Sequence, residues 1–122
     1  MLNESFNSEN FRKNGHAIVD KLANYMKNLE DNQINEVLPP ITPKQMLLNW
    51  DNNFQTKDFS LDKFTDEIIT QSNHLHHPKY IGHQVSAPLP LASLFDMMSS
   101  LLNNGAAIYE MGPVSTIMEK EL

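Results

Sequence analysis

His77-Pro78-Lys79-Tyr80-Ile81-Gly82-His83-Gln84-Val85-Ser86-Ala87-Pro88-Leu89-Pro90, continuing into Leu91-Ala92-Ser93-Leu94-Phe95-Asp96-Met97-Met98-Ser99-Ser100-Leu101-Leu102, decides how this chain folds. Prolines 78, 88 and 90 fix φ and bias their predecessors to extended geometry, so the first half is a loop. The second half carries Leu91, Leu94, Phe95, Met97, Met98, Leu101 and Leu102 on most faces of a helix, and such a helix needs cover on all sides. Asn103-Asn104-Gly105 supplies a helix C-cap. Ala106 to Tyr109 reads as extended, Gly112-Pro113 as a turn, and Val114 onward as a further helix.

Upstream the pattern is helical with proline-rich breaks. From about Asn10 to Leu29, Ile18, Leu22, Tyr25 and Leu29 recur at spacings of 4, 3 and 4, giving one apolar stripe. Val37-Leu38-Pro39-Pro40-Ile41 excludes a helix. Thr42-Pro43-Lys44-Gln45 then offers an N-cap, a proline at the first helical position and a capping-box glutamine. That spacing predicts a short helix through Met46, Leu47 and Leu48, ending near Trp50. Phe59-Ser60 opens the next helix, with Ser60 as cap and Leu61, Phe64, Ile68 and Leu75 on one face; His77-Pro78 ends it. The expected fold class is an all-α fragment, with amphipathic helices joined by proline-rich extended loops.

Composition narrows the partners. The 122 residues suffice for one domain with a modest core, and the hydrophobic and charged fractions, 40% and 20%, are both low. Net charge is −6 without a Lys/Arg stripe, which argues against nucleic acid. The absence of cysteine excludes a disulfide framework and a thiolate metal site. The opening MLNESFNSEN has neither a charged nor an apolar signal-peptide region. No window reaches the ~18–20 apolar residues that span a bilayer. A cytoplasmic chain with no membrane partner is the expectation.

The ordered series His77-Pro78-Lys79-Tyr80, His83-Gln84-Val85-Ser86-Ala87-Pro88, a buried helix, then Tyr109-Glu110-Met111-Gly112-Pro113-Val114 resembles the N-terminal part of the group II pyridoxal-phosphate (PLP) decarboxylases. These include glutamate and aromatic amino-acid decarboxylases. Phe11-Arg12-Lys13-Asn14-Gly15-His16 is similar to the family's opening helix, and Leu38 to Pro43 fits its linker. The resemblance implies the N-terminal segment of a PLP-dependent transferase (type I) fold. It divides the chain into a helical dimerisation segment, 1–76, and a substrate-loop segment with a buried helix, 77–122, leading into a large domain. It also implies a homodimer through intertwined N-terminal helices and a small amino-acid substrate.

By the same resemblance, His83, Gln84 and Ser86 are substrate-binding. Gln84 would donate to a substrate carboxylate, Ser86 would bond substrate or cofactor, and His83 would stack on or bond the substrate side chain. Glutamate decarboxylases carry Asn-Gln-x-Ser here and aromatic ones Tyr-Phe-Pro-Thr; His83-Gln84-Val85-Ser86 departs from both, so the substrate stays open. Tyr80, Tyr109 and Glu110 stand behind the site or reach the partner subunit's. The cofactor would be PLP, yet the family's His-Lys pair is missing, since none of lysines 13, 21, 27, 44, 57, 63, 79 and 120 follows a histidine. The 122-residue chain is therefore expected to hold no PLP and to be inactive alone.

Blander readings stand beside these. Gln84 and Ser86 could satisfy loop backbone groups, and Tyr109 and Glu110 could be structural. His74 and His77 could share a helical face as metal ligands, or sit at a helix C-terminus where histidine suits the dipole. The family uses no metal there, and none is expected. The alternative function is a non-catalytic helical dimerisation or binding module.

Overall fold

The computed structural model describes residues 6–55, 60–82 and 84–122, with the side chains of 52–55 excepted. Among the described residues, five helices follow in order: α1 Ser8–Glu30, α2 Pro43–Gln55, α3 Leu61–Gln71, α4 Pro90–Leu102 and α5 Pro113–Glu121. No strand occurs among the described residues, as the hydrophobic periodicity requires. The chain forms two compact units, Met1–Val85 and Ser86–Leu122, so the loop after His77 stays with the first.

Local chemistry starts the helices where the sequence says. Asn7 accepts from the Asn10 amide at 2.9 Å and caps α1. Thr42 and Gln45 make a reciprocal capping box: the Gln45 N–H donates to Thr42 Oγ1 at 3.3 Å, and the Thr42 N–H to Gln45 Oε1 at 3.2 Å. Ser60 accepts from the Lys63 N–H at 3.4 Å. Prolines 43, 90 and 113 each occupy a first helical position, where a missing N–H costs nothing. Thr42→Ala should remove about 1 kcal/mol of stability through the lost cap. A lower urea midpoint at unchanged slope would show it, and an unchanged midpoint would make the box incidental.

Two helix ends differ from expectation. α2 runs past Trp50 to Gln55, because Asp51, Asn52 and Asn53 are weak helix formers but not breakers. α3 was expected to reach 75 and ends at Gln71. There Ser72 Oγ donates back to the Ile68 carbonyl at 2.6 Å, and the His74 N–H goes to Val37 O at 2.9 Å instead of continuing the helix. Leu75 therefore leaves the α3 stripe. Phe59, which precedes the Ser60 cap of α3, lies outside the described residues.

In the first unit α1 packs on α3. Lys21 of α1 reaches Asp62 at 2.9 Å and also pairs with Asp66. Trp50 of α2 meets Phe64 of α3 edge-on, with centroids 5.7 Å apart. Among the described residues, Leu29 is the one buried apolar side chain, at 2% exposure, while Leu22 of the same stripe stays 43% exposed.

In the second unit α4 ends at Asn103, which takes the left-handed conformation with φ 47°. The segment 106–109 is not extended. It bends into a turn in which the Gly112 N–H reaches both the Ile108 and Tyr109 carbonyls at 3.3 Å. Gly112 packs its backbone on the Gly105 carbonyl so closely that a Cβ there would collide with it. All seven large apolar side chains of α4 are exposed, between 47% and 65%. Ser93, Asp96 and Ser100 form a polar stripe along it, so the helix is less uniformly apolar than its composition implied.

Candidate functional site

The segment from Ser72 to Val85 begins as soon as α3 stops. Its first residues turn inward, because Ser72 and Asn73 cannot extend an apolar stripe and the next donors find carbonyls on the 33–41 loop. His74 and His77 are both buried, each 5% exposed. Tyr25 of α1 lies against His74, with its hydroxyl 3.1 Å from Nδ1 and ring centroids 5.5 Å apart. Burial pushes the Tyr25 phenol up in pKa. Burial, then repulsion from His77, pushes His74 down, favouring the neutral imidazole.

His77 is bonded at both ring nitrogens. The Lys79 N–H donates to Nδ1 at 3.0 Å, and Nε2 lies 2.9 Å from the Ile34 carbonyl. The two histidines therefore lie beyond the helix and inside the unit. The helix-dipole reading fails because no helix reaches them. The metal reading fails for His77 because both nitrogens are engaged. The composition of this segment hid the clasp, since its partners are carbonyls of residues about forty positions earlier. The Ser72-Asn73 pair was the available sign that the helix stops short.

Beyond the clasp the loop opens to solvent. Tyr80 is half-buried and its ring covers the Gly82 backbone, where a Cβ would meet the phenol oxygen at 3.0 Å. Gln84 is exposed, as are Ile81 at 97% and Val85 at 53%. His83 lies outside the described residues. Ser86 opens the second unit and is exposed. Tyr109 and Glu110 sit in the turn before α5 and are also exposed. A groove of about 600 Å³ runs beside the clasp, lined by Ile34, Glu36, Pro39, Ile69, Gln71 and His74 among others.

The lysines of the described residues do not suit a PLP aldehyde. Lysines 13, 27, 44, 63, 79 and 120 are exposed. Lys21 is the more enclosed, but hydrogen bonds to Asp62 and Asp66 raise its pKa, the opposite of what an attacking amine needs. Lys57 lies outside the described residues. Among the described residues, no three His, Asp or Glu side chains converge as a metal set, and no helix is long and apolar enough to cross a membrane.

Comparison with known proteins gives a consistent relationship. The chain is 28% identical over 91% of its length to a tyrosine decarboxylase of Papaver somniferum, of which it covers 22%. It is 25% identical over 91% to tyrosine decarboxylase 1 of Narcissus pseudonarcissus, again covering 22%. It is 26% identical over 92% to tryptophan decarboxylase 2 of Oryza sativa subsp. japonica, covering 23%. The chain thus spans about a fifth of the curated relatives it matches. No family model matches, and neither does any solved structure. Over nearly its whole length the chain is thus similar to one segment of plant tyrosine and tryptophan decarboxylases, in line with the group II decarboxylases whose motifs it resembles.

Proposed function

We propose that this chain is the N-terminal part of a PLP-dependent amino-acid decarboxylase, a carboxy-lyase that releases CO2 from an L-amino acid. The carrying observation is the similarity to tyrosine and tryptophan decarboxylases over nearly the whole chain. Their names make an aromatic L-amino acid the first substrate class to test. Loop residues Tyr80 to Ser86 would face the substrate, with Gln84 donating to its carboxylate. Tyr109 and Glu110 would stand behind the site or reach the partner's. The cofactor would be held by residues outside these 122, because the lysines described above are either exposed or tied to carboxylates. The enzyme would be a cytoplasmic homodimer whose N-terminal helices intertwine.

The test is expression of the protein with its reading frame continued through the family's His-Lys pair, followed by measurement of CO2 release from tyrosine, DOPA, tryptophan and glutamate. Release from none of them, with PLP bound, would sink the reading. The second reading, a non-catalytic helical dimerisation module, draws on the exposed apolar side chains of α4. A second measurement addresses the 122 residues alone: borohydride reduction with PLP should label no single lysine stoichiometrically. One stoichiometric label would show a competent lysine where the geometry offers none.

A further inference from the structure

The Ile34–Ile41 loop and the loop carrying Tyr80 and Gln84 are joined at one buried side chain. We propose that His77 is the positioning residue of the substrate loop, fixing where the chain after Pro78 leaves the buried histidines and so where Tyr80 and Gln84 stand. This rests on the decarboxylase reading above.

The Lys79 N–H donates to Nδ1 at 3.0 Å, so Nδ1 must present its lone pair. The single ring proton then sits on Nε2, which donates to the Ile34 carbonyl at 2.9 Å. One neutral tautomer satisfies both contacts, and the ring is buried around it at 5% exposure. The backbone adds two more bonds. The His77 N–H donates to His74 O and the Tyr80 N–H to His77 O, each at 2.9 Å.

A second attachment removes the remaining freedom. The His74 N–H donates to Val37 O at 2.9 Å, so the 33–41 loop is held at two points three residues apart. A segment pinned twice cannot swing about one bond. Pro78 follows directly, with φ fixed and no N–H to seek another partner. Two residues later the Tyr80 ring closes over Gly82, two positions before the exposed Gln84. The Nδ1 contact to the N–H two residues on is the geometry that Asn and Asp side chains use in turns. That equivalence supplies a rescue variant. His77→Asn can keep the Lys79 contact but is too short for Ile34, whereas His77→Leu fills the space and keeps neither.

The experiment uses the full-length enzyme, with steady-state kinetics and hydrogen exchange read together. In wild type the Lys79 and Tyr80 amides should be protected. His77→Leu should raise KM roughly tenfold, as expected for two lost contacts. It should change kcat far less, leave cofactor absorbance intact, and speed exchange in 78–85 without speeding it in α1 and α3. His77→Asn should recover part of KM, for the one contact it keeps, together with the Lys79 protection. An unchanged KM in His77→Leu would overturn the proposal. So would equal damage in both variants, or faster exchange spread through α1 and α3, which marks a general folding role. If His77→Leu does not fold, a wild-type Lys79 amide that exchanges freely still refutes the clasp. A full-length protein that releases no CO2 from any amino acid overturns the decarboxylase reading instead, and the clasp is then decided by the amide protection alone.

Discussion

The wild-type chain should self-associate, and replacing Leu94 and Met98 together by glutamate should leave it a monomer. The two positions are four residues apart and share a face of α4 with Leu91, Phe95 and Leu101. Leu94 and Met98 are each 48% exposed and Phe95 is 54% exposed. Full burial of such a side chain gains about 1.5–3 kcal/mol and covering its exposed half roughly half of that, so a face of five is still a strong drive to find cover. Soluble monomers seldom leave apolar patches beyond a few hundred Å² open. A second copy brings the same face, and a two-fold axis lets it pair with itself. Two charges placed in that contact would be desolvated and opposed by two more from the partner. The dimer should therefore be lost, not merely weakened. Ser100→Glu, on the polar stripe, should leave association intact. Sedimentation at micromolar concentration distinguishes the cases: a folded wild-type monomer would defeat the claim, and so would a dimer that survives both glutamates. An obligate contact of this kind should bury more than ~2,000 Å².

Much of the fold was legible because its signals are local. The capping box at Thr42 and Gln45, the Ser60 cap, the prolines opening three helices and the left-handed Asn103 each depend on residues within one turn. The errors arose where a distant partner won. α3 stops at Gln71 because the His74 N–H finds the Val37 carbonyl, a contact that no helical periodicity encodes. The 106–109 segment bends because Gly112 and Gly105 meet, and that requires knowing which two glycines approach. The site divides the same way. His77-Pro78 and the loop behind it were readable as a motif, but the buried role of His77 was not. Its Nε2 partner is a backbone carbonyl 43 residues earlier, and carbonyls have no signature in sequence. Tyr25 was read as one position of an apolar stripe, and its hydroxyl proves to face His74.

Gln84→Ala in the full-length enzyme should lower kcat/KM by about tenfold to over a hundredfold, the cost of losing a hydrogen bond to a charged carboxylate, roughly 1.5–3 kcal/mol. The amide is exposed and the two apolar residues beside it on the loop, Ile81 and Val85, are exposed as well. Removing it should therefore leave stability unchanged, since no packing is lost with it. This separates the two roles open to a polar loop residue. A glutamine that only satisfies loop backbone would change neither stability nor kinetics when its partners are free to turn to water. A glutamine that donates to substrate changes kinetics alone, and it does so whether the substrate side chain is aromatic or acidic, because every α-amino acid brings the same carboxylate. The departure of His83-Gln84-Val85-Ser86 from both family patterns sharpens the point. On the proposed function, substrate choice would shift with His83 while a Gln84 contact to the carboxylate would stay. The measurement is steady-state kinetics on two amino acids with PLP absorbance as the control for folding. Equal losses on both substrates support a carboxylate contact. A loss on one only would move Gln84 to side-chain recognition, and no loss on either would leave it a loop residue.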